Sequence, residues 1–117
     1  MAKIDSVKFD LFDFLIATDQ GAPITTLPQV SFGFQDPLDH SLPLRAIIVM
    51  FDSGQSDSLR FHARCRVSFR FESGEEVPDG EALISLLYRQ AYGLFCLKAN
   101  ETLRVLGQNP MRFPELE

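Results

Sequence analysis

Hydrophobic and polar residues alternate along much of the chain, as they do in half-buried β-strands. The clearest stretch runs from Leu59 to Phe71, where every second side chain is apolar and those between are charged or polar. Shorter alternating stretches precede it, together with one run, Leu44 to Phe51, that is apolar on both sides apart from Arg45. The pattern predicts four strands, at about 4–16, 29–35, 44–52 and 59–72.

The apolar residues of the first stretch change sides partway along. Val7 and Phe9 share one side, whereas Phe12 and Phe14 share the other. Because a β-bulge inserts one unpaired residue, it produces such a switch, and we expect a bulge near Leu11 and Phe12. Between the first two strands, 18–28 contains one glycine and two prolines, which predict a loop or a lid.

A long helix is expected after the strands. Asp79 is a good N-cap, and Gly107 supplies a residue suited to the left-handed position that ends a helix, so the helix should occupy about 79–106. The predicted fold is α+β: a four-stranded antiparallel β-sheet followed by one long C-terminal α-helix packed on one face.

The helix carries apolar residues around most of its circumference. Between Ala82 and Leu97 few positions are polar, so the apolar surface is wider than the roughly 100° that one sheet covers. Arg89 near the middle argues against a membrane span. We therefore expect an oligomer, a dimer or a tetramer, formed through this helix. The expected subunit contacts are Leu86, Tyr88, Tyr92, Gly93 and Phe95.

Composition places the chain among ordinary globular proteins. It has 117 residues, of which 45% are hydrophobic and 23% charged, so residues 1–117 should form one domain. The net charge of -5 argues against nucleic acid as a partner. The N-terminal residues lack the pattern of a secretory signal, so a cytoplasmic location is expected.

Catalytic and metal-binding patterns are weak. Cys65 and Cys96 have no CxxC spacing and are expected to be buried, reduced thiols. His40 and His62 have no clustered ligands around them. We therefore expect no enzyme activity, no catalytic residue, no metal site and no cofactor.

Positive charge is concentrated on the polar side of the fourth strand. Arginine can bind phosphate or carboxylate with two hydrogen bonds, so this row could contact an acidic partner. Alternatively, the row is the solvated face of the sheet, paired across strands with residues such as Asp10 or Asp13. The residues of this row are Arg60, Arg64, Arg66 and Arg70, with His62 among them.

Phenylalanine is abundant, with eleven residues against two tyrosines and no tryptophan. Most of these rings should lie under the helix, since alternating apolar residues form the covered side of a sheet. A minority can line an apolar groove, and an extended polypeptide can also pair with an open sheet edge. The candidates for the groove are Phe32, Phe34, Phe61 and Phe69.

The order of these elements resembles the SecB family of export chaperones. The resemblance is carried by the bulged first strand VKFDLFDFLI, by the long fourth strand LRFHARCRVSFRF, and by the helix LLYRQAYGLFCLKANETLRVLGQ with the Phe-Pro stretch after it. It implies a sheet with a helix layer on one face, assembled as dimers that pair into tetramers. It also implies a holdase, which keeps non-native polypeptides soluble in apolar grooves without ATP.

Two features depart from the family. The sequence ends at Glu117, soon after Phe113, so we expect the family's second helix to be short or missing. The polar row of the fourth strand is basic, whereas the export chaperone presents an acidic sheet surface to the translocase motor, so docking on that motor is not expected. A divergent protein dedicated to one client, such as an antitoxin, fits better than a general export factor.

Three functions remain open at this point. The first is a SecB-like chaperone or targeting factor that binds unfolded or extended polypeptide. The second is a non-catalytic structural or adaptor subunit that assembles with a fixed folded partner. The third is a small-ligand domain of the hot-dog kind, although the helix here follows the strands instead of lying early among them.

Overall fold

Four strands and one long helix follow each other along the chain. The structure, a computed structural model, describes residues 2–16, 28–35, 37–55 and 59–116. Of the loop expected at 18–28, all but Pro28 lies outside these residues. The elements are β1 Lys3–Ile16, β2 Gln29–Gln35, β3 Leu44–Gln55, β4 Leu59–Arg70 and the helix α1 Gly80–Val105. The predicted α+β architecture is confirmed.

All strand pairs in the sheet are antiparallel, and the order is β1-β4-β3-β2. The alternating strand β4 therefore lies inside the sheet, hydrogen-bonded to β1 on one side and to β3 on the other. This position explains the regularity of its sequence, because one face of an interior strand must be apolar along its whole length when a helix covers it. The two outer strands are β1 and β2.

Strand β1 contains two irregularities in its pairing with β4. One lies between Phe9 and Leu11, slightly before the position expected from the sequence, and the other lies between Ile4 and Ser6. Each adds one residue to β1, Asp10 and Asp5 respectively. The second bulge was not predicted, although its signal is present: the apolar residues Ile4 and Val7 are three positions apart and so cannot share a face without an inserted residue.

The core lies between α1 and the face of the sheet that carries the apolar side of β4. Inner residues of β3 and β4 such as Val49, Cys65 and Val67 are completely buried there, as are Phe95 and Leu103 of the helix. Aromatic rings of β1 pack at its side, with Phe9 and Phe12 in edge contact at 4.8 Å between ring centres. The core is therefore a single layer between one helix and one sheet.

The two ends of α1 are held by different means. At its C-terminus Gly107 adopts a φ of 81°, and its N–H and that of Gln108 donate to the carbonyls of Arg104 and Leu103. This is the left-handed glycine cap expected from the sequence. At the N-terminus Asp79 occupies the cap position without a side-chain cap hydrogen bond, and its carboxylate binds Arg45 instead.

Arg45 is the charged residue inside the apolar run of β3. Only 5% of it is exposed, and its guanidinium donates to the carbonyls of His40, Leu42 and Leu44 as well as to Asp79. The burial of a charge is tolerated only when its hydrogen bonds are satisfied, and here they are. Arg45 therefore ties the beginning of α1 to β3 and to the turn before it.

Two kinds of feature are absent from the described part of the chain. No helix within it combines the length and the apolarity needed to cross a bilayer. No cluster of three or more His, Cys, Asp or Glu side chains with the proximity of metal ligands occurs among the same residues.

Candidate functional site

After α1 the chain turns back and runs along the helix. We call residues 108–116 the return segment; it contains neither helix nor strand. Met111 lies beside Asn100, and Pro114 lies beside Tyr92, so the segment runs in the opposite direction to α1. Eight helical residues rise about 12 Å, and three residues of chain span at most about 11 Å. A helical turn would advance only about 4.5 Å over three residues, so the polypeptide from Met111 to Pro114 runs extended along α1 and not as a further helical turn.

Main-chain groups of the return segment are bound by side chains of the helix. The amide nitrogen of Asn100 donates to the carbonyl of Met111 at 3.2 Å, and its amide oxygen accepts from the N–H of Met111 at 2.8 Å. The hydroxyl of Tyr92 donates to the carbonyl of Pro114. Asn100 thus satisfies both main-chain groups of one residue, as a neighbouring strand would.

Phe113 fixes the return segment over the sheet. Its ring centre lies 5.2 Å from that of Phe51 in β3, 5.4 Å from Phe95 in α1 and 6.0 Å from Phe61 in β4, all in edge-to-face geometry. Phe51 and Phe61 form the floor of this pocket and Phe95 forms its wall. The return segment therefore occupies an apolar groove between the helix and the inner face of the sheet.

Part of this groove remains open as a cleft of about 400 Å³. Its neutral polar groups are held in their protonated forms, because burial raises the pKa of both Tyr92 and Cys96. For Tyr92 a smaller contribution comes from the neighbouring Cys96. The cleft is therefore bordered by apolar surface and by an uncharged hydroxyl and thiol. It is lined by Arg89, Tyr92, Gly93, Cys96, Asn100, Met111, Phe113, Pro114, Glu115 and Leu116.

A second aromatic surface lies at the outer strand β2, next to the first half of α1. The half-buried ring of Phe32 meets Tyr88 at 5.5 Å and Tyr92 at 6.3 Å, both edge to face. Phe34, 42% exposed, lies beside Gly80 at the start of the helix. Because β2 is an outer strand of the sheet, these rings border a strand edge, which is where an extended peptide can add main-chain hydrogen bonds.

The four phenylalanines predicted to line a groove divide into two pairs. Phe32 and Phe34 lie on the aromatic surface just described. Phe69 is completely buried beneath α1, so its assignment to an accessible groove needs correction, whereas Phe61, also completely buried, lies in the floor of the groove beside α1 under Phe113. The alternation of the sequence explains the error. It places all four residues on the inner face of the sheet, but only the position of the helix decides which of the four are covered.

The predicted subunit contacts also divide. Leu86, 63% exposed, and Gly93 lie on the side of α1 that is turned away from the sheet, and Tyr88 is half-buried. Tyr92 and Phe95 are buried against this chain's own sheet and return segment, so they are not free to contact a second subunit in this conformation. The excess apolar surface of the helix was expected to contact another subunit, whereas residues 108–116 cover part of it.

The basic row of β4 lies on the outer face of the sheet and is largely paired within the chain. Arg60 contacts Asp13 at 3.3 Å, Arg64 contacts Asp10 at 3.8 Å, and Arg70 contacts Asp5 at 3.4 Å. The structure thus contains the cross-strand pairs that were the alternative to a partner-binding row. These pairs are partly exposed and are each worth at most about 1 kcal/mol.

Two further details of this face were not visible in the sequence. Asp52 of β3 lies 3.2 Å from His62, and Asp5 reaches Arg70 because it is the extra residue of a bulge. Arg66 has no ion pair within the described ranges, and its Nε atom is buried without a hydrogen-bond partner there. Contact of Arg60, Arg64, Arg66 and Arg70 with an acidic partner stays a prediction.

Comparison of the sequence with protein-family profiles and with curated proteins found no match. Comparison of the structure with solved structures found matches. A protein of unknown function from Streptococcus agalactiae has a TM-score of 0.46 and 10% identity, with 98% of each chain covered. The Mycobacterium tuberculosis Rv1957 SecB-like chaperone, solved in complex with a ChAD peptide from the Rv1956 HigA1 antitoxin, has a TM-score of 0.61 and 12% identity, covering 99% of this chain and 90% of that one. This chain therefore has a fold similar to that of a SecB-like chaperone.

Proposed function

We propose that this protein is a chaperone-like polypeptide-binding protein that holds extended or unfolded segments without ATP and without catalysis. The observation that carries the proposal is the groove beside α1, which binds an extended stretch of polypeptide through main-chain hydrogen bonds and one aromatic side chain. Such contacts accept many sequences, because they depend on the backbone and on a few apolar side chains, of which Phe113 is the aromatic one.

The fold supports the same function. The similar chain Rv1957 is described as a SecB-like chaperone bound to a peptide. The aromatic surface of Phe32, Phe34 and Tyr88 lies at the edge of β2 and provides a second place where a client can contact both a strand edge and aromatic rings. The alternative of a small-ligand domain has less support, because Glu115 is the one carboxylate that borders the cleft beside α1 among the residues that the structure describes.

Self-association through the outward side of α1 is part of the proposal. Leu86 and Leu97 are 63% and 66% exposed there, and Gly93 between them would let a second backbone approach closely. Arg89 and Gln90 interrupt this surface, so the contact is expected to be partly polar. Substitution of Leu86 by Asp should reduce the mass measured by light scattering coupled to size exclusion; a monomeric parent protein would remove this part of the proposal.

We further propose a cytoplasmic location.

Suppression of aggregation tests the main proposal. Several unrelated denatured proteins are diluted into buffer with the chain at near-stoichiometric ratio, and light scattering is followed with time. A holdase delays the aggregation of most of them without nucleotide. Suppression of none, together with stable binding to one folded protein, would contradict the proposal and favour an adaptor subunit.

Substitution of Phe34 locates the activity on the protein. Phe34→Ser removes an exposed ring from the inner side of β2 and should weaken suppression severalfold while leaving the melting temperature nearly unchanged. Leu15→Ser is the matched control, since Leu15 is similarly exposed at 52% but lies opposite Arg60 on the outer face. Equal suppression by both variants would show that the β2 surface is not used.

A further inference from the structure

The return segment has the properties of a bound peptide as well as those of a structural element. It contributes partly buried side chains to the core, Met111, Phe113 and Leu116, yet it adds no strand to the sheet and no second helix. Its polar contacts run from helix side chains to its main chain. A different polypeptide with a similarly placed apolar residue could make the same contacts.

We propose that the return segment is a displaceable internal ligand: residues 108–116 occupy the polypeptide-binding groove, and a client binds there by replacing them. This inference rests on the proposed function and deepens it by naming the regulation and the client class. The client is an extended polypeptide in which an aromatic residue precedes a proline, with an apolar residue two positions before the aromatic one.

Each part of this client class follows from a contact in the groove. The aromatic residue takes the place of Phe113 among Phe51, Phe61 and Phe95, where ring edges meet ring faces. The residue two positions earlier presents its N–H and carbonyl to Asn100, and it is apolar because the side chain of Met111 packs against the core. The proline carbonyl accepts from Tyr92, and proline favours the extended conformation of the residue before it.

Tethering explains how the groove stays closed without a client. The return segment follows α1 directly, and a short connection of this kind gives an effective concentration on the order of millimolar. A peptide at micromolar concentration with the same contacts therefore cannot compete. A client succeeds when it binds additional surface, such as the edge of β2, or when the anchor Phe113 is weakened.

A labelled synthetic peptide with the sequence QNPMRFPEL, identical to residues 108–116, is the probe, and its binding is followed by fluorescence anisotropy. The parent protein should show no saturable binding up to about 100 µM, because its own segment fills the groove. The variant Phe113→Ala, whose segment lacks its anchor, should bind the peptide at least tenfold more tightly. Arg112→Ala is the matched control, since Arg112 is exposed on the same segment and should leave binding as in the parent.

Three additional measurements separate displacement from general loosening. A peptide with serine in place of phenylalanine should not bind Phe113→Ala. Adding Asn100→Ala to Phe113→Ala should weaken binding of the original peptide about tenfold, since two main-chain hydrogen bonds are lost. Hydrogen exchange at the amide of Met111 should accelerate in Phe113→Ala. If that variant does not fold, Phe113→Leu serves in its place, because it removes the ring contacts and keeps most of the apolar volume.

The proposal fails if hydrogen exchange at the Met111 amide accelerates in the variant but the peptide does not bind. It also fails if this amide stays protected from exchange, because the segment would then be a fixed part of the core. It also fails if both peptides bind equally. The proposed function is tested separately. If the parent protein suppresses aggregation but the peptide results are negative, the holdase function stands and the displaceable return segment is rejected. Peptide binding to Phe113→Ala without suppression of any client would reject the holdase function instead.

Discussion

Replacing Arg45 by Met should destabilise the fold more than the loss of any other arginine in the sheet. The guanidinium is 5% exposed and donates to three main-chain carbonyls and to the carboxylate of Asp79. Methionine has comparable length and packs in the apolar run of β3, but it can donate none of these bonds. The beginning of α1 would then lose its link to the sheet.

The expected loss is about 2 to 3 kcal/mol. Each hydrogen bond contributes roughly 1 kcal/mol net, and the apolar side chain of methionine recovers part of the sum. The loss stays below the 3 to 5 kcal/mol of a fully buried pair because the side chain of Asp79 is half exposed, so water solvates its carboxylate once Arg45 is gone.

Urea unfolding followed by circular dichroism measures the effect. With a slope of about 2 kcal/mol per molar urea, the midpoint should fall by roughly 1 M. Arg64→Met is the matched control: Arg64 is exposed on the outer face, its contact with Asp10 is 3.8 Å long, and its removal should change stability by less than about 0.5 kcal/mol. Midpoints that agree within error for the two variants would refute the conclusion that Arg45 ties the beginning of α1 to the sheet.

Three further predictions concern the helix and the core. Phe95→Ala should lower the free energy of unfolding by about 3 to 5 kcal/mol and Leu86→Ala by less than about 0.5 kcal/mol, measured in urea; similar losses would show that α1 faces the sheet differently. Gly107→Ala should cost about 1 kcal/mol in the same assay, because the φ of 81° strains any other residue; an unchanged midpoint would contradict the glycine cap. Burial raises the pKa of Cys65 from 9.0 to about 11, so as the pH rises the thiol ionises first in the unfolded chain. The contribution of this thiol to the free energy of unfolding should be fully present below pH 9 and should fall by up to about 1.4 kcal/mol per pH unit between pH 9 and 11. Cys65→Val should reduce this slope in unfolding experiments at pH 8, 9 and 10. An identical slope in the variant would show that the thiol is not its cause.

Some features of the groove depend on residues whose role has no local signal. Asn100 looks like an ordinary polar residue on a helix, and only the return of the chain after Gly107 brings Met111 within reach of it. Phe113 was recognisable as part of a Phe-Pro stretch, but its place among Phe51, Phe61 and Phe95 depends on residues more than fifty positions away and on the helix between them.

The sequence by itself determined the strands, the helix and their order. Alternation along β4 places one apolar side chain every second residue, and the glycine at 107 ends α1, because both signals act over a few neighbouring residues. The switch of apolar residues from one side of β1 to the other likewise indicates a bulge, although not its exact position. These features follow from local geometry: side chains alternate in a strand, and few residues tolerate a left-handed conformation.

Only the tertiary structure decided which apolar residues remain accessible. Phe34 and Phe69 share the same side of the sheet in the sequence, yet the path of α1 leaves one exposed and buries the other. The apolar side of the helix that the sequence assigned to a second subunit is covered in part by residues 108–116 of the same chain. Periodicity shows how much apolar surface must be buried. Which segment buries that surface depends on contacts between parts of the chain that are far apart in sequence, because the hydrophobic effect is non-directional and does not select a particular partner.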